Sequence, residues 1–203
     1  MTQSPTTETV RVISRDELAQ LPVRRYEGRV VVIGGADELD EALRDIRADR
    51  VIGLDTETRP SFRKGESHLP SLVQIATARA VYLLQLKRLD FSRALTEVLE
   101  NHGLIKAGVG VADDLFKLRQ MFAFQEQGFI DLGAVARRHG ITQSGVRTLA
   151  ARFLELRVTK GAQTSNWANP RLTPKQVVYA ATDAWICREL FLCFEKRGML
   201  APP

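Results

Sequence analysis

The sequence predicts an α/β fold in which helices cover a β-sheet, and three features support this. Short β-branched and apolar runs at 30–33 and 51–55 are typical of strands. Apolar residues at helical spacing indicate a helix at 37–48, between those two strands. A last helix is predicted at 173–197, because Thr-Pro-Lys-Gln supplies a cap at its start and Gly198 suits its end. Strands and helices that alternate in this way form layered α/β sheets.

The remaining elements follow from the same patterns in chain order. A polar loop is expected at 59–69, and Gly108 and Gly110 mark a turn from a strand into a helix. We predict strands at 30–33, 51–55, 72–76, 81–84 and 104–107, and helices at 37–48, 91–99, 132–138, 148–154 and 173–197, with a further helix after Gly110.

The bulk composition is that of one globular domain. The 203 residues carry a net charge of +5, which favours polyanionic partners such as nucleic acid, although many basic proteins bind none. We expect a single domain at 26–203, preceded by a tail or lead-in at 1–25. The start has no apolar run typical of a signal peptide, and no run of about 18 apolar residues predicts a membrane span. The expectation is therefore a cytoplasmic protein without membrane association.

The segment Leu-Asp-Thr-Glu-Thr at 54–58 places two acids at the end of an apolar strand. Because side chains alternate along a strand, Asp55 and Glu57 are predicted to point the same way. A divalent cation such as Mg²⁺ or Mn²⁺ relieves the repulsion between two such carboxylates. The alternative is an ordinary pair of acids that faces solvent.

Two further acidic features lie downstream. Asp113 and Asp114 open the helix after Gly110, where the helix dipole favours acids whatever their role. The alternative is that one of them caps the helix while the other reaches a metal. Tyr179 and Asp183 are four residues apart and share one face of an apolar helix. A carboxylate there needs a partner, which is either a metal or a buried hydrogen bond.

The order Asp-x-Glu, Asp and Tyr-x-x-x-Asp resembles the DEDD exonuclease superfamily in its tyrosine-bearing subclass. The flanking segments 70–75 (PSLVQI) and 160–167 (KGAQTSNW) are similar to that family as well. The resemblance covers about 30–197 and looks most like the Werner-type exonuclease domain and the RNase D-like catalytic domain. It implies a ribonuclease H-like fold, in which a mixed central β-sheet is flanked by α-helices.

Carried over by position, the resemblance implies that Asp55, Glu57, Asp114 and Asp183 are metal ligands and that Tyr179 is a fifth catalytic residue. It implies two divalent ions, Mg²⁺ or Mn²⁺, about 4 Å apart, which activate a water and stabilise the leaving 3′ oxygen. Tyrosine, with an ordinary pKa of about 10, is a poor base at neutral pH, so Tyr179 is expected to orient the attacking water. The expected activity removes nucleoside 5′-monophosphates from the 3′ end.

Substrate contacts are predicted on basic residues near these motifs. Arg63, Lys64 and Lys160 are candidate phosphate contacts, with solvated surface charge as the alternative. Phe62 either stacks on a terminal base or anchors its loop. Asp113 is expected to be a cap or a neighbour of the metal ligands.

The sequence leaves several functions open. The expected partner is the single-stranded 3′ end of DNA or RNA, and no motif distinguishes the two. An oligoribonuclease specific for very short RNA is one alternative within the same enzyme class. A catalytically silent nucleic-acid-binding module is another. The oligomeric state is not predicted.

Overall fold

A computed structural model describes residues 12–61, 63 and 65–200. Its elements are α1 (Arg15–Gln20), β1 (Arg29–Val32), α2 (Ala36–Ala48), β2 (Val51–Thr58), β3 (Pro70–Ala76), β4 (Ala80–Gln85), α3 (Ser92–Glu100), β5 (Ile105–Gly108), α4 (Val111–Arg119), β6 (Phe129–Asp131), α5 (Leu132–Arg138), α6 (Val146–Leu154) and α7 (Pro174–Lys196). Every predicted strand and helix is present, with its ends shifted by a few residues. Two short elements, α1 and β6, were not predicted.

The strands form one mixed sheet in the order β1-β4-β3-β2-β5-β6. β2 pairs antiparallel with β3 and parallel with β5, so it lies in the middle of the sheet. β3 also pairs antiparallel with β4, while β1 with β4 and β5 with β6 are parallel pairs. The predicted mixed central sheet is thereby confirmed.

Helices cover both faces of the sheet, and alternation along β2 decides what each face receives. Ile52 and Leu54 pack into a core formed with α2, α3 and α4. Val51, on the opposite side of the strand, packs with α5, α6 and the C-terminal half of α7. The odd-numbered side chains of β2, which include Asp55 and Glu57, therefore face α7.

The long helix α7 is fixed at its start and pressed closely onto the sheet. Thr173 and Gln176 form the predicted capping box, in which the Gln176 amide N–H donates to the Thr173 hydroxyl at 3.3 Å and Gln176 Oε1 accepts from the Thr173 amide at 3.0 Å. At Gly53 of β2, a β-carbon would lie 1.9 Å from the carbonyl oxygen of Ala184 and 2.8 Å from the amide nitrogen of Arg188. Only glycine permits this approach.

Within the described residues, the lead-in before β1 lies against the body of the protein at Ile13 and at residues 22–24. The Arg24 amide donates to the Arg157 carbonyl at 3.0 Å, and the Arg157 amide donates to the Pro22 carbonyl at 2.9 Å. The Ile13 amide donates to Gln143 Oε1 at 2.9 Å. This part of the lead-in is thus fixed by hydrogen bonds to the segments that contain Gln143 and Arg157.

Among the helices of the described residues, none has the combined length and apolar character that crossing a membrane requires.

We expect Gly53→Ala to lower the free energy of unfolding by about 3 kcal/mol, because the new methyl group must displace the α7 backbone. Urea denaturation measures this loss. Gly161→Ala is the matched control, since its nearest atom would be Thr159 Oγ1 at 3.9 Å. An equal loss in both variants would contradict the close contact at Gly53.

Lys106 on β5 predicts a pH dependence of stability. Its side chain is buried, its ammonium donates to the Asn101 carbonyl at 2.7 Å and lies 5.2 Å from the centre of the Phe129 ring, and burial lowers its pKa to about 8. The unfolded chain binds this proton up to a pKa of about 10.4, so the unfolded state holds more protons between about pH 8 and 10.4.

Stability should therefore rise with pH across that window, by on the order of 1 kcal/mol relative to Lys106→Met. Urea denaturation of both proteins at pH 7.5 and 10 measures the difference. A difference that stays constant with pH would show that the pKa of Lys106 is not lowered in the fold.

Candidate active site

Three acidic side chains meet between β2 and α7. Asp55 and Glu57 project from the same face of β2, as their spacing predicted, and Asp183 projects towards them from α7. One carboxylate oxygen from each lies within 4.8 Å of the others. These three predicted residues therefore form one cluster, here called the carboxylate cluster.

Asp114 reaches the neighbourhood of this cluster from the other face of the sheet. It lies in the first turn of α4, and its Oδ1 accepts a hydrogen bond from the Thr56 hydroxyl at 2.6 Å. Thr56 points away from Asp55 along the strand, so Asp114 lies outside the three-residue cluster. Burial raises the pKa of Asp114, and the bond from Thr56 opposes that rise.

Asp113 points elsewhere. Its carboxylate is largely exposed and pairs with the Lys117 ammonium at 2.6 Å, one helical turn away. The two neighbouring aspartates are thus separated in role, and Asp113 makes a surface contact.

The turn before α4 is held by a partly exposed acceptor. Gly110 adopts a left-handed conformation, with φ of 76°, and its amide donates to Asp131 Oδ1 at 3.0 Å. The same oxygen accepts from the amides of Gly133 and Ala134 at the start of α5. Asp131 therefore fixes the turn from which Asp114 projects.

Burial and mutual repulsion raise the pKa values of the clustered acids. The pKa of Asp55 is well above its usual range because of burial, then because of Asp183 and Asp114. Burial, followed by repulsion from the same three aspartates, raises the pKa of Glu57 to about 9. Burial raises the pKa of Asp183 to about 6, opposed by a hydrogen bond from Tyr179 and by the charge of Arg147. The cluster is electrostatically unfavourable by itself.

Tyr179 lies one turn before Asp183 on α7. Its pKa is raised, first by burial and then by the charges of Asp183 and Glu57. The Arg147 guanidinium donates to the Tyr179 oxygen at 3.3 Å and to Gln163 Oε1 at 3.1 Å. Tyr179 is therefore protonated at neutral pH and held from both sides.

Two buried polar groups beside the cluster have unmet hydrogen-bonding capacity. Asp183 Oδ1 is buried without a hydrogen-bond partner among the described residues. Gln74, directly across from Asp55 in the β2–β3 pair, is fully buried, and neither atom of its amide has a partner in that part of the chain. Buried polar groups are normally satisfied.

These features fit a divalent cation. The donors are all oxygens, which suits hard ions such as Mg²⁺ and Mn²⁺. A cation offsets the repulsion among Asp55, Glu57 and Asp183. The unpartnered oxygen of Asp183 would be one of its ligands.

The predicted substrate contacts are less centrally placed. Arg63 is exposed in the loop after β2, and Lys160 is exposed in the loop before α7. Phe62 and Lys64 lie outside the described residues. The role of Arg63, Lys64 and Lys160 as phosphate contacts, and of Phe62 as a base contact, stays a prediction.

Sequence reasoning missed Arg147 and Gln74. Arg147 is one of many basic residues in the chain, and its position beside Tyr179 depends on how α6 packs on α7. Gln74 lies in the segment at 70–75 that resembles the family, and it pairs with Asp55 because β3 folds back on β2. The only available signal was its polarity within an otherwise apolar strand.

Comparisons with known proteins place the chain in a family. A family model described as 3′-5′ exonuclease matches residues 30–198. The bifunctional 3′-5′ exonuclease/ATP-dependent helicase WRN of Mus musculus is 29% identical over 181 residues, which cover 81% of this chain and 12% of that protein. Ribonuclease D of Haemophilus influenzae is 31% identical over 155 residues, which cover 74% of this chain and 38% of that protein. The chain thus spans well under half the length of these curated relatives.

A solved structure of an EXO domain has a similar fold. The crystal structure of the Aedes aegypti Nibbler EXO domain superposes with a TM-score of 0.74 at 21% identity, covering 87% of this chain and 91% of that one. The ribonuclease H-like fold and the resemblance to Werner-type and RNase D-like domains are confirmed. Because the family match runs from β1 through the end of α7, the chain belongs to the 3′-5′ exonuclease family of the DEDD superfamily.

Proposed function

We propose that this chain is a metal-dependent 3′→5′ exonuclease that hydrolyses the terminal phosphodiester bond of DNA or RNA and releases nucleoside 5′-monophosphates. The observation that carries the proposal is the carboxylate cluster, in which oxygens of Asp55, Glu57 and Asp183 lie within 4.8 Å of one another. In the reaction a water oxygen joins phosphorus, and the 3′ oxygen of the preceding nucleotide leaves.

Asp55, Glu57 and Asp183 would hold divalent cations, and Asp114 would complete the set from the opposite side of β2. We propose two ions, with Mg²⁺ or Mn²⁺ as the metal. When bound, they supply Lewis-acid activation of water and neutralise charge on the phosphate.

Tyr179 and Arg147 act as positioning groups in this proposal. Tyr179 keeps its proton at neutral pH, so its hydroxyl donates to Asp183 and orients the attacking water through hydrogen bonds. Arg147 donates to the Tyr179 oxygen and fixes the direction of that hydroxyl. Tyr179 is thus assigned to orienting the attacking water, which is the role expected from the sequence.

We propose one exonuclease domain at 26–203, against which Ile13 and residues 22–24 of the lead-in pack, with single-stranded 3′ ends of nucleic acid as substrate. Arg63, Lys64 and Lys160 are proposed phosphate contacts. Ribonuclease D among the relatives favours an exonuclease over the two alternatives of a dedicated oligoribonuclease and a silent binding module. The cytoplasmic location stays a prediction.

The activity is tested with 5′-labelled single-stranded DNA and RNA in Mg²⁺, Mn²⁺ or EDTA. We expect a ladder that shortens from the 3′ end, that EDTA abolishes, and that Asp55→Ala reduces to background because the cluster loses a ligand. Intact substrate in every lane, dinucleotides included, would contradict the proposal.

The neighbouring aspartates of α4 provide a matched pair for the fourth acid. We expect Asp114→Asn to lower kcat/KM by about 10- to 100-fold, because Asp114 lies beside the cluster and not within it. Asp113→Asn should stay within about twofold of the parent, since its carboxylate pairs with Lys117 at the surface. Equal losses in the two variants would remove Asp114 from the site.

Metal binding should also be visible as stability. Asp55→Asn removes an acid that the fold holds at a cost, so the variant should be more stable than the parent in EDTA. Adding 10 mM Mg²⁺ should raise the melting temperature of the parent and not that of the variant. Differential scanning calorimetry measures both effects, and equal metal stabilisation of the two proteins would show that the ion binds elsewhere.

A further inference from the structure

We propose that a basic pocket beside Tyr179 binds the substrate strand upstream of the scissile phosphate. The inference rests on the proposed exonuclease function and adds a second contact site to it. The pocket, of about 550 Å³, lies between the lead-in, the loop before α7 and the first turns of α7. Its size falls within the range of ligand sites, about 300 to 1,000 Å³.

The chemistry of its walls fits a polynucleotide. Arg24, Arg25 and Lys175 line it, and no acid occurs among the described residues that do. Apolar side chains form the rest of the surface, including Val23, which is 50% exposed, and Val158. Guanidinium and ammonium groups attract phosphates, and the apolar surface suits the face of a base.

The basic wall is held in place by backbone bonds. The Arg24 amide donates to the Arg157 carbonyl, and the Tyr26 amide donates to the Thr182 hydroxyl on α7 at 3.0 Å. The backbone of the wall is therefore fixed, and the Arg25 side chain also lies 4.0 Å from the Glu27 carboxylate. Arg24 and Arg25 belong to the lead-in and precede residues 30–198, which match the family model, whereas Lys175 lies within that range.

The position of the pocket assigns it to the upstream strand. Tyr179 lines it, and Asp183 of the carboxylate cluster lies one helical turn further along the same helix. A second, smaller pocket of about 350 Å³ includes Asp55. The terminal nucleotide brings only the scissile phosphate, whereas the upstream strand brings consecutive phosphates that match three cations. We therefore place the upstream nucleotides in the basic pocket.

Binding without turnover gives the first test. In an Asp55→Asn background with Mg²⁺, fluorescence anisotropy measures the Kd of a 5′-labelled single-stranded decamer. Arg24→Ala/Lys175→Ala should raise Kd about tenfold and reduce the slope of log Kd against log salt by about 1.4, as expected for two lost phosphate contacts. The control, Arg44→Ala/Arg93→Ala, removes the same charge from exposed positions on α2 and α3, across the sheet from α7, and should stay within about twofold.

A second variant keeps all three cations of the pocket. Val23→Glu places an acid in the pocket wall at a half-exposed side chain, where folding tolerates it, and should weaken decamer binding about as much. The pocket pair is the variant Arg24→Ala/Lys175→Ala, and the control pair is Arg44→Ala/Arg93→Ala. The assignment would be overturned if the control pair weakened decamer binding as much as the pocket pair, or if neither Val23→Glu nor the pocket pair changed the Kd.

Kinetics separate the pocket from the reaction centre. With the parent Asp55, the pocket pair should raise KM for the decamer about tenfold and affect kcat far less. It should affect hydrolysis of the p-nitrophenyl ester of thymidine 5′-monophosphate less than that of the decamer, because the ester has no upstream strand. An equal loss on both substrates would overturn the upstream assignment. Absence of hydrolysis with normal, pocket-dependent binding would remove the exonuclease proposal and leave the pocket standing.

Discussion

Electrostatic repulsion among closely spaced, largely buried carboxylates is the constraint on which the rest of this structure depends. Asp55, Glu57 and Asp183 crowd together in a region where burial already disfavours their ionised forms. A flexible scaffold would relieve this strain by letting the acids move apart. The site therefore requires two stiff elements pressed together: β2, which is paired on both sides, and α7, which is capped at its start.

Close contact between these elements comes from one small residue. Gly53 lets the α7 backbone approach β2 at Ala184, immediately after Asp183 in the chain. Two residues further along β2, Asp55 faces the same helix. The glycine at position 53 and the clustered acids therefore depend on each other, because α7 must lie close to β2 for the Asp183 carboxylate to reach those of Asp55 and Glu57. Stability and the placement of the acids depend on the same contact.

The parts of the site that could be predicted from the sequence are those set by local periodicity. Asp55 and Glu57 share a face because a strand alternates, and Tyr179 and Asp183 share one because a helix repeats nearly every four residues. Residues placed by tertiary packing could not be predicted in this way. Arg147 meets Tyr179 only after α6 packs on α7, and the approach of Asp114 to Thr56 from the other face follows no spacing in the chain. The short elements α1 and β6 lack enough residues to show a period, so they were missed for the same reason.

The net charge of +5 shows the same limit of sequence reasoning. Charge alone favours a polyanionic partner and does not locate the contact, because folding pairs many cations with acids. Arg47 bonds to Glu97 and Arg50 to Glu195 on the surface, so these guanidiniums contribute little net field. The basic pocket differs because its cations line a cavity without an acid among its described lining residues, and it adjoins the carboxylate cluster through Tyr179. The cations of the pocket lie on one side of Tyr179 and the carboxylate cluster on the other, so a bound nucleic acid strand has a preferred direction across the surface. The fold produces this separation of charge, and the composition alone does not reveal it.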